Sequence, residues 1–178
     1  MKERSDSQLA EAAVRGDADS FTELCRRYYS AMVAIAHSVI GDRHLAEDAA
    51  QQAFAKAAVN LAKLRQTEKF GGWIAAICRN AAKDVARSRR EAPVEFERES
   101  VRTQAGRDVD VEAVRAAMEK LSDVSREVIY LRFYDGLSYD RISAVLGISE
   151  QAINGRLRRA KRKLAGHLRR AGFGEVRL

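Results

Sequence analysis

Proline is almost missing from this chain of 178 residues; Pro93 is the only one. Helix interiors tolerate proline poorly, so a chain nearly free of it and rich in Ala, Leu, Arg and Glu is expected to be all-α. Cysteine is scarce as well. Cys25 and Cys78 stand far apart with no CxxC pair, and His37, His44 and His167 share no metal-ligand spacing with them or with each other. This excludes a disulfide scaffold and predicts neither a metal nor another cofactor. The two thiols read as reduced, apolar packers, with a redox sensor or metal site as the alternative. Long apolar runs are lacking too: no window of about 18 apolar residues exists, and the start, MKERSDSQLA, has no apolar signal core. The expectation is a cytoplasmic protein that does not insert into a membrane.

Acids are outnumbered, with 25 Asp and Glu against 32 Lys and Arg, a net charge of +7. Such a balance favours an anionic partner over a small-molecule substrate. The bases are concentrated. From Ser149 to Arg170 they are Arg156, Arg158, Arg159, Lys161, Arg162, Lys163, Arg169 and Arg170, against the single acid Glu150.

That stretch ends a helix-turn-helix. Ser138 is placed to cap a short helix reaching Leu146, Gly147 supplies the left-handed residue of a tight turn, and Ser149 caps the helix that follows. Ile142, Leu146, Ile148, Ile153 and Leu157 close a small core across the turn. With Ile153, Leu157, Ala160, Leu164 and Leu168 as the buried stripe, a step of about 100° per residue puts Gln151, Gly155, Arg158 and Arg162 opposite, flanked by Asn154 and Arg159. Arginine reads guanine edges in bidentate fashion and Asn or Gln reads adenine, so this face suits a DNA major groove. A solvated charged helix in an ordinary bundle is the plain alternative.

Upstream, Ser5 or Ser7 caps a first helix with Leu9, Ala12, Ala13 and Val14 on its apolar side, ending at Gly16. A second, from Ser20 to Ile40, buries Phe21, Leu24, Tyr28, Met32, Ile35 and Val39, and Gly41 stops it. Asp42 opens a third, to about Leu64, whose buried side is largely alanine: Ala49 or Ala50, Ala53 and Ala57 beside Leu45, Phe54, Leu61 and Leu64. Residues Arg65 to Gly72 read as a loop. A fourth helix, Trp73 to about Arg90, turns Trp73, Ile74, Ile77, Ala81 and Val85 inward and Arg79, Asn80, Lys83, Arg87, Arg89 and Arg90 outward, a second basic surface. Trp73 reads as core; Phe70, in the loop, reads as core or as a platform for a base.

The stripe breaks off after Arg90, where Pro93 stands among Glu91, Glu95, Glu97 and Glu99. Helical phasing resumes at Val111, Val114, Met118 and Leu121. Ser122 then caps a helix with Val124, Val128, Leu131 and Tyr134 inward, ended by Gly136. The plan is two small helical domains, 1–90 and 110–178, joined by a flexible acidic linker, 91–109.

Two motifs in this order resemble the two characteristic regions of bacterial RNA polymerase sigma factors of the extracytoplasmic-function (ECF) type. The first is HLAEDAAQQAFAKA (His44 to Ala57) followed by FGGWIAAICRNAAKDVARSRR (Phe70 to Arg90). The second is LSDVSREVIYLRFYDGLSYDRISAVLGISEQAINGRLRRAKRKL (Leu121 to Leu164). The resemblance spans nearly the whole chain. It implies a protein that joins core RNA polymerase, directs it to promoter DNA and helps to melt that DNA, with catalysis left to the polymerase. It further implies that Glu47, Asp48, Gln51 and Gln52 face the polymerase. For the minus-ten element it implies Phe70, Arg79, Asn80, Lys83 and Arg87; for the minus-thirty-five element, Ser149, Gln151, Asn154, Gly155, Arg158, Arg159 and Arg162. An anti-sigma factor is an implied partner.

The chain departs from the family's pattern at Gln52, where an acid is common, and at Asn154 and Gly155, where a base and a serine are frequent. A rival reading is a helix-turn-helix repressor or activator acting as a dimer on a palindrome. An enzyme acting on DNA would need a nucleophile or clustered carboxylates near the basic face, and Asp84, the lone acid among the fourth helix's bases, suits an ion pair better. No enzymatic activity is expected.

Overall fold

The structure, a computed structural model, describes residues 4–91 and 108–173. Among these are eight α-helices and no strand: α1 (Asp6–Val14), α2 (Ala18–Ile40), α3 (Arg43–Asn60), α4 (Phe70–Glu91), α5 (Asp108–Glu119), α6 (Asp123–Ile129), α7 (Tyr139–Leu146) and α8 (Glu150–Arg170). Most of the acidic linker expected at 91–109 lies outside the described residues.

Side-chain caps set most of the helix starts. The Ser5 hydroxyl accepts the Gln8 amide at 3.3 Å while the Gln8 side-chain oxygen accepts the Ser5 amide at 2.9 Å, a reciprocal cap for α1. Asp17 caps α2, Asp42 α3, Ser138 α7 and Ser149 α8. Gly41 and Gly147 end α2 and α7 with φ of 73° and 66°, the left-handed conformation that their place in the sequence predicted. Ser122 precedes α6 without capping it, because its hydroxyl donates to Ser125 Oγ at 2.9 Å.

α2 is the central post, packed against α1, α3 and α4. Its stripe of Leu24, Tyr28, Met32 and Ile35 is fully buried, and Ala46, Ala49, Ala50, Ala53 and Ala57 of α3 are wholly inaccessible, so α3 approaches closely on its alanine side. Cys78 is buried here, its thiol donating to the Met32 carbonyl at 3.3 Å; Cys25 is half-buried, and both are free. Removal from water pushes the Cys78 thiol up to about 12 and Cys25 to about 11, far from any reactive thiolate.

Several expectations change. α4 begins at Phe70, three residues early, so the loop from Arg65 shrinks and contains a short 3-10 turn, Thr67–Lys69. α6 runs on as a π-helical turn, Tyr130–Tyr134, which keeps Leu131 buried but leaves Phe133 and Tyr134 exposed. Val14, Val111, Val114 and Val124, expected inward, are exposed as well. Short helices lack room for a full stripe; Leu121 and Val128 are buried as expected, with Ala117 beside them.

The two helical units are docked. α6 and the π-helical turn lie against α2, and α7 lies against α4. Gly71 makes the second contact possible: a Cβ there would stand 2.5 Å from the Ala144 carbonyl oxygen and 3.0 Å from the Tyr28 ring.

Candidate polymerase and nucleic-acid interfaces

α8 is held as its sequence demands. Ile153, Leu157, Ala160, Leu164 and Leu168 are all buried against α5, α6 and α7. The opposite face carries Ser149, Gln151, Asn154, Arg158, Arg159 and Arg162, all exposed, and Gly155, half-buried. Ser149 Oγ accepts the Ala152 amide at 3.2 Å, which leaves its hydroxyl proton to donate outward. The Arg159 guanidinium lies over Gly155, where a Cβ would stand 3.5 Å from its Nη1. None of Arg158, Arg159 and Arg162 pairs with a carboxylate among the described residues, so their charge is uncompensated and available to phosphate or base edges.

Beyond these positions Arg162, Lys163, Gly166, His167, Arg169 and Arg170 line an open cup of about 400 Å³ at the end of α8. His167 is held below its ordinary pKa by lost hydration and by Arg170, Lys120 and Lys163, and its Nδ1 is bonded to Arg170 Nη2 at 3.0 Å. A neutral imidazole among these cations leaves the surface positive without adding to it.

On α3, Asp48, Gln51 and Gln52 are exposed opposite the alanine seam and make no side-chain hydrogen bond or ion pair among the described residues, while Glu47 is half-buried and bound by Arg43 at 3.0 Å. Three of the four residues therefore present a carboxylate and two amides to solvent.

On α4, Asn80, Lys83 and Arg87 are exposed; Arg87 bonds to Asp84 at 3.0 Å, and Asp84 also lies 4.0 Å from Lys56. Asp84 thus serves ion pairs, as its setting among bases suggested. Two members of the expected minus-ten set differ. Phe70 is 1% exposed, packed edge-on to Tyr28 with ring centroids 5.4 Å apart and against Trp73, so it is core rather than a platform for a base in this arrangement. Arg79 is turned toward the second unit, where its Nε and Nη2 donate to Glu127 Oε1 at 2.9 and 2.7 Å.

The sequence reading missed Asp6, Glu127 and Arg141. Asp6 Oδ2 accepts both the Tyr28 hydroxyl, at 2.7 Å, and Arg141 Nη1, at 2.8 Å, while Oδ1 accepts Arg27 Nη1 at 2.9 Å. Burial alone would raise the Asp6 carboxyl, but the bonds from Tyr28, Arg27 and Arg141 outweigh it and hold the group below the usual carboxylate value. Arg141 also donates to the Arg27 carbonyl at 2.9 Å and stacks 4.6 Å over the Tyr28 ring. One signal was available: Glu127 is a charge directly before the apolar run Val128, Ile129, and such a buried acid requires a cation from outside its own element.

Comparison with known proteins gives two family matches. Residues 24–92 match the family described as Sigma-70 region 2, and residues 111–164 match Sigma-70, region 4. The ECF RNA polymerase sigma factor SigM of Mycobacterium tuberculosis is 30% identical over 166 residues, covering 92% of this chain and 84% of its own. A probable RNA polymerase sigma factor, RfaY of Xanthomonas campestris, is 30% identical over 168 residues; the match covers 88% of this chain but 42% of that longer protein. Among solved structures, CnrH in complex with the cytosolic domain of CnrY matches with a TM-score of 0.63 and 29% identity, over 92% of this chain and 97% of that one. The chain belongs to the sigma-70 family, in its ECF group: it is a sigma factor, which joins core RNA polymerase and directs promoter-specific initiation. The matches do not favour the dimeric-regulator alternative.

Proposed function

We propose that the work is divided among three helices, within domains at 1–90 and 110–178 joined by a linker at 91–109. α3 docks on core polymerase through Asp48, Gln51 and Gln52, with Glu47 beside them. α4 holds the displaced strand of the minus-ten element through Asn80, Lys83 and Arg87, joined by Arg79 once it is released from Glu127. α8 reads the minus-thirty-five element through Gln151, Asn154, Arg158 and Arg159, with Ser149 and Arg162 toward phosphate and Gly155 allowing close approach. The observation that carries this reading is that Arg158, Arg159 and Arg162, exposed on the face opposite the buried stripe, pair with no carboxylate among the described residues. An unpartnered cationic helix on a helix-turn-helix core is what groove binding requires. The solved relative is complexed with the cytosolic domain of CnrY, and by analogy an anti-sigma partner embraces this chain.

The first test is binding of the purified chain to sigma-free bacterial core polymerase, beside an Asp48→Arg, Gln51→Ala variant. Tight binding lost in the variant is the expected outcome. Equal binding by both chains would remove α3 from the polymerase interface.

A further inference from the structure

The second unit carries an aromatic ring that its own core does not use. Phe133 is 55% exposed on the π-helical turn Tyr130–Tyr134, while Leu131 of the same turn is buried. The turn is pinned by its backbone. The Asp135 amide donates to the Tyr130 carbonyl and the Leu137 amide to the Leu131 carbonyl, both at 3.0 Å. Arg132 donates to the Leu137 carbonyl at 2.7 Å and lies over the Tyr139 ring. The outward ring is thus held in place by its neighbours.

What meets that ring is Lys161 of α8, whose ammonium stands 4.5 Å from the ring centroid. Lys161 is half-buried and has no carboxylate partner among the described residues. Its place on α8 gives the pair a use. Lys161 comes seven residues after Asn154, so it lies within about 20° of Asn154 around the helix axis and about 10 Å further along it. A helix-turn-helix enters the major groove by the N-terminal end of its second helix, and that groove is about 12 Å wide. When Asn154 faces base edges, Lys161 has passed them and stands at the wall of the groove, where the anions are phosphodiesters.

We propose that Lys161 is a phosphate-binding residue at the edge of the minus-thirty-five contact, and that Phe133 is the positioning residue that orders it. A lysine that binds phosphate gives up the rotamer freedom of a four-carbon stem. The Phe133 ring meets part of that cost before DNA arrives, because the cation already rests over its negative face. An ammonium has three N–H donors, so it lies over the ring and still donates to a phosphate oxygen. Such a contact carries no base information; it adds affinity on every sequence and fixes the register of α8 in the groove. The proposal rests on the reading of α8 as the groove helix. A lysine stem that merely covers the ring is the rival account.

The test uses the full chain and a labelled DNA duplex of random sequence, with affinity followed over a range of salt by fluorescence anisotropy. Lys161→Ala and Lys161→Met, the second keeping the stem without the charge, are both expected to flatten the plot of log affinity against log salt by about 0.9, the share of one phosphate contact. Phe133→Leu keeps every charge; it should weaken binding about two- to fivefold at unchanged slope, the size of an exposed cation–π contact. Phe133→Tyr keeps the π face and should bind as the wild type does. In the Lys161→Met background Phe133→Leu should cost nothing further, since the ring acts only through the ammonium. Circular dichroism melts check that each chain stays folded. Wild-type affinity and slope in the Lys161 variants would overturn the phosphate contact, and a Phe133→Leu loss that persists without the ammonium would overturn the positioning role. Arg158→Ala is read beside them: unchanged binding there would count against α8 as the groove helix, whereas loss there with none at Lys161 would count against the pair alone.

Discussion

At the scale of single residues, His37 stands where the two units meet and its protonated form is opposed by burial. Its ring meets Tyr130 and Tyr134 edge-on, and its Nδ1 is buried with no hydrogen-bond partner among the described residues. Burial lowers its pKa from 6.5; Asp42 and the Gly41 backbone oppose that shift, while Arg43 and Arg115 add to it. The folded chain therefore binds the proton less readily than the unfolded chain does. Stability unaffected at pH 7.5 must fall as pH drops below about 6.5 and continue falling until the lowered pKa is passed. Asp6 behaves oppositely in position: its carboxyl is lowered from 3.8, so its contribution is complete above that value and is lost as pH falls below it. Urea denaturation at pH 7.5 and 5.5 should thus show a weaker fold at 5.5, and a His37→Phe variant should narrow the gap. An unchanged gap in that variant would assign the loss to other groups.

At the scale of elements, the helix-turn-helix was legible almost to the residue, because its signals are local. Ser138, Gly147 and Ser149 each satisfy or terminate a helix end by their own chemistry, and the stripe from Ile153 to Leu168 follows helical period without interruption. Accordingly Ser149→Ala is expected to cost about 1 kcal/mol through the lost cap, and Gly147→Ala about 1 to 2 kcal/mol through the left-handed backbone. Both are measurable as shifts in denaturation midpoint at constant slope. Elsewhere the signals failed for physical reasons. Gly71 and Gly72 read as loop because glycine favours loops, yet Gly71 is in a helix to let another backbone approach. The π-helical turn at Tyr130–Tyr134 has no periodic mark of its own, so Tyr134 was assigned inward and lies 48% exposed. Phe70 was ambiguous between core and base platform, since only the packing of Tyr28 and Trp73 around it decides.

At the scale of the whole molecule, what the sequence could not convey is that the units dock. The ion pairs that join them link residues as distant as Asp6 and Arg141, and no spacing rule connects such positions. Gly71 offers a test of that docking that does not touch any charge. Its backbone is helical rather than left-handed, so alanine in its place should favour α4 itself by about 1 kcal/mol. Yet the added Cβ would meet the Ala144 carbonyl oxygen at 2.5 Å, a backbone atom that has no rotamer to retreat into. At neighbouring Gly72 a Cβ meets nothing within 4 Å. Gly72→Ala should therefore leave the chain compact and as stable or slightly more so, whereas Gly71→Ala should separate the units, enlarging the particle in scattering and dividing one thermal transition into two. If both substitutions leave the scattering and the melt alike, the units do not meet at α4 and α7 in solution.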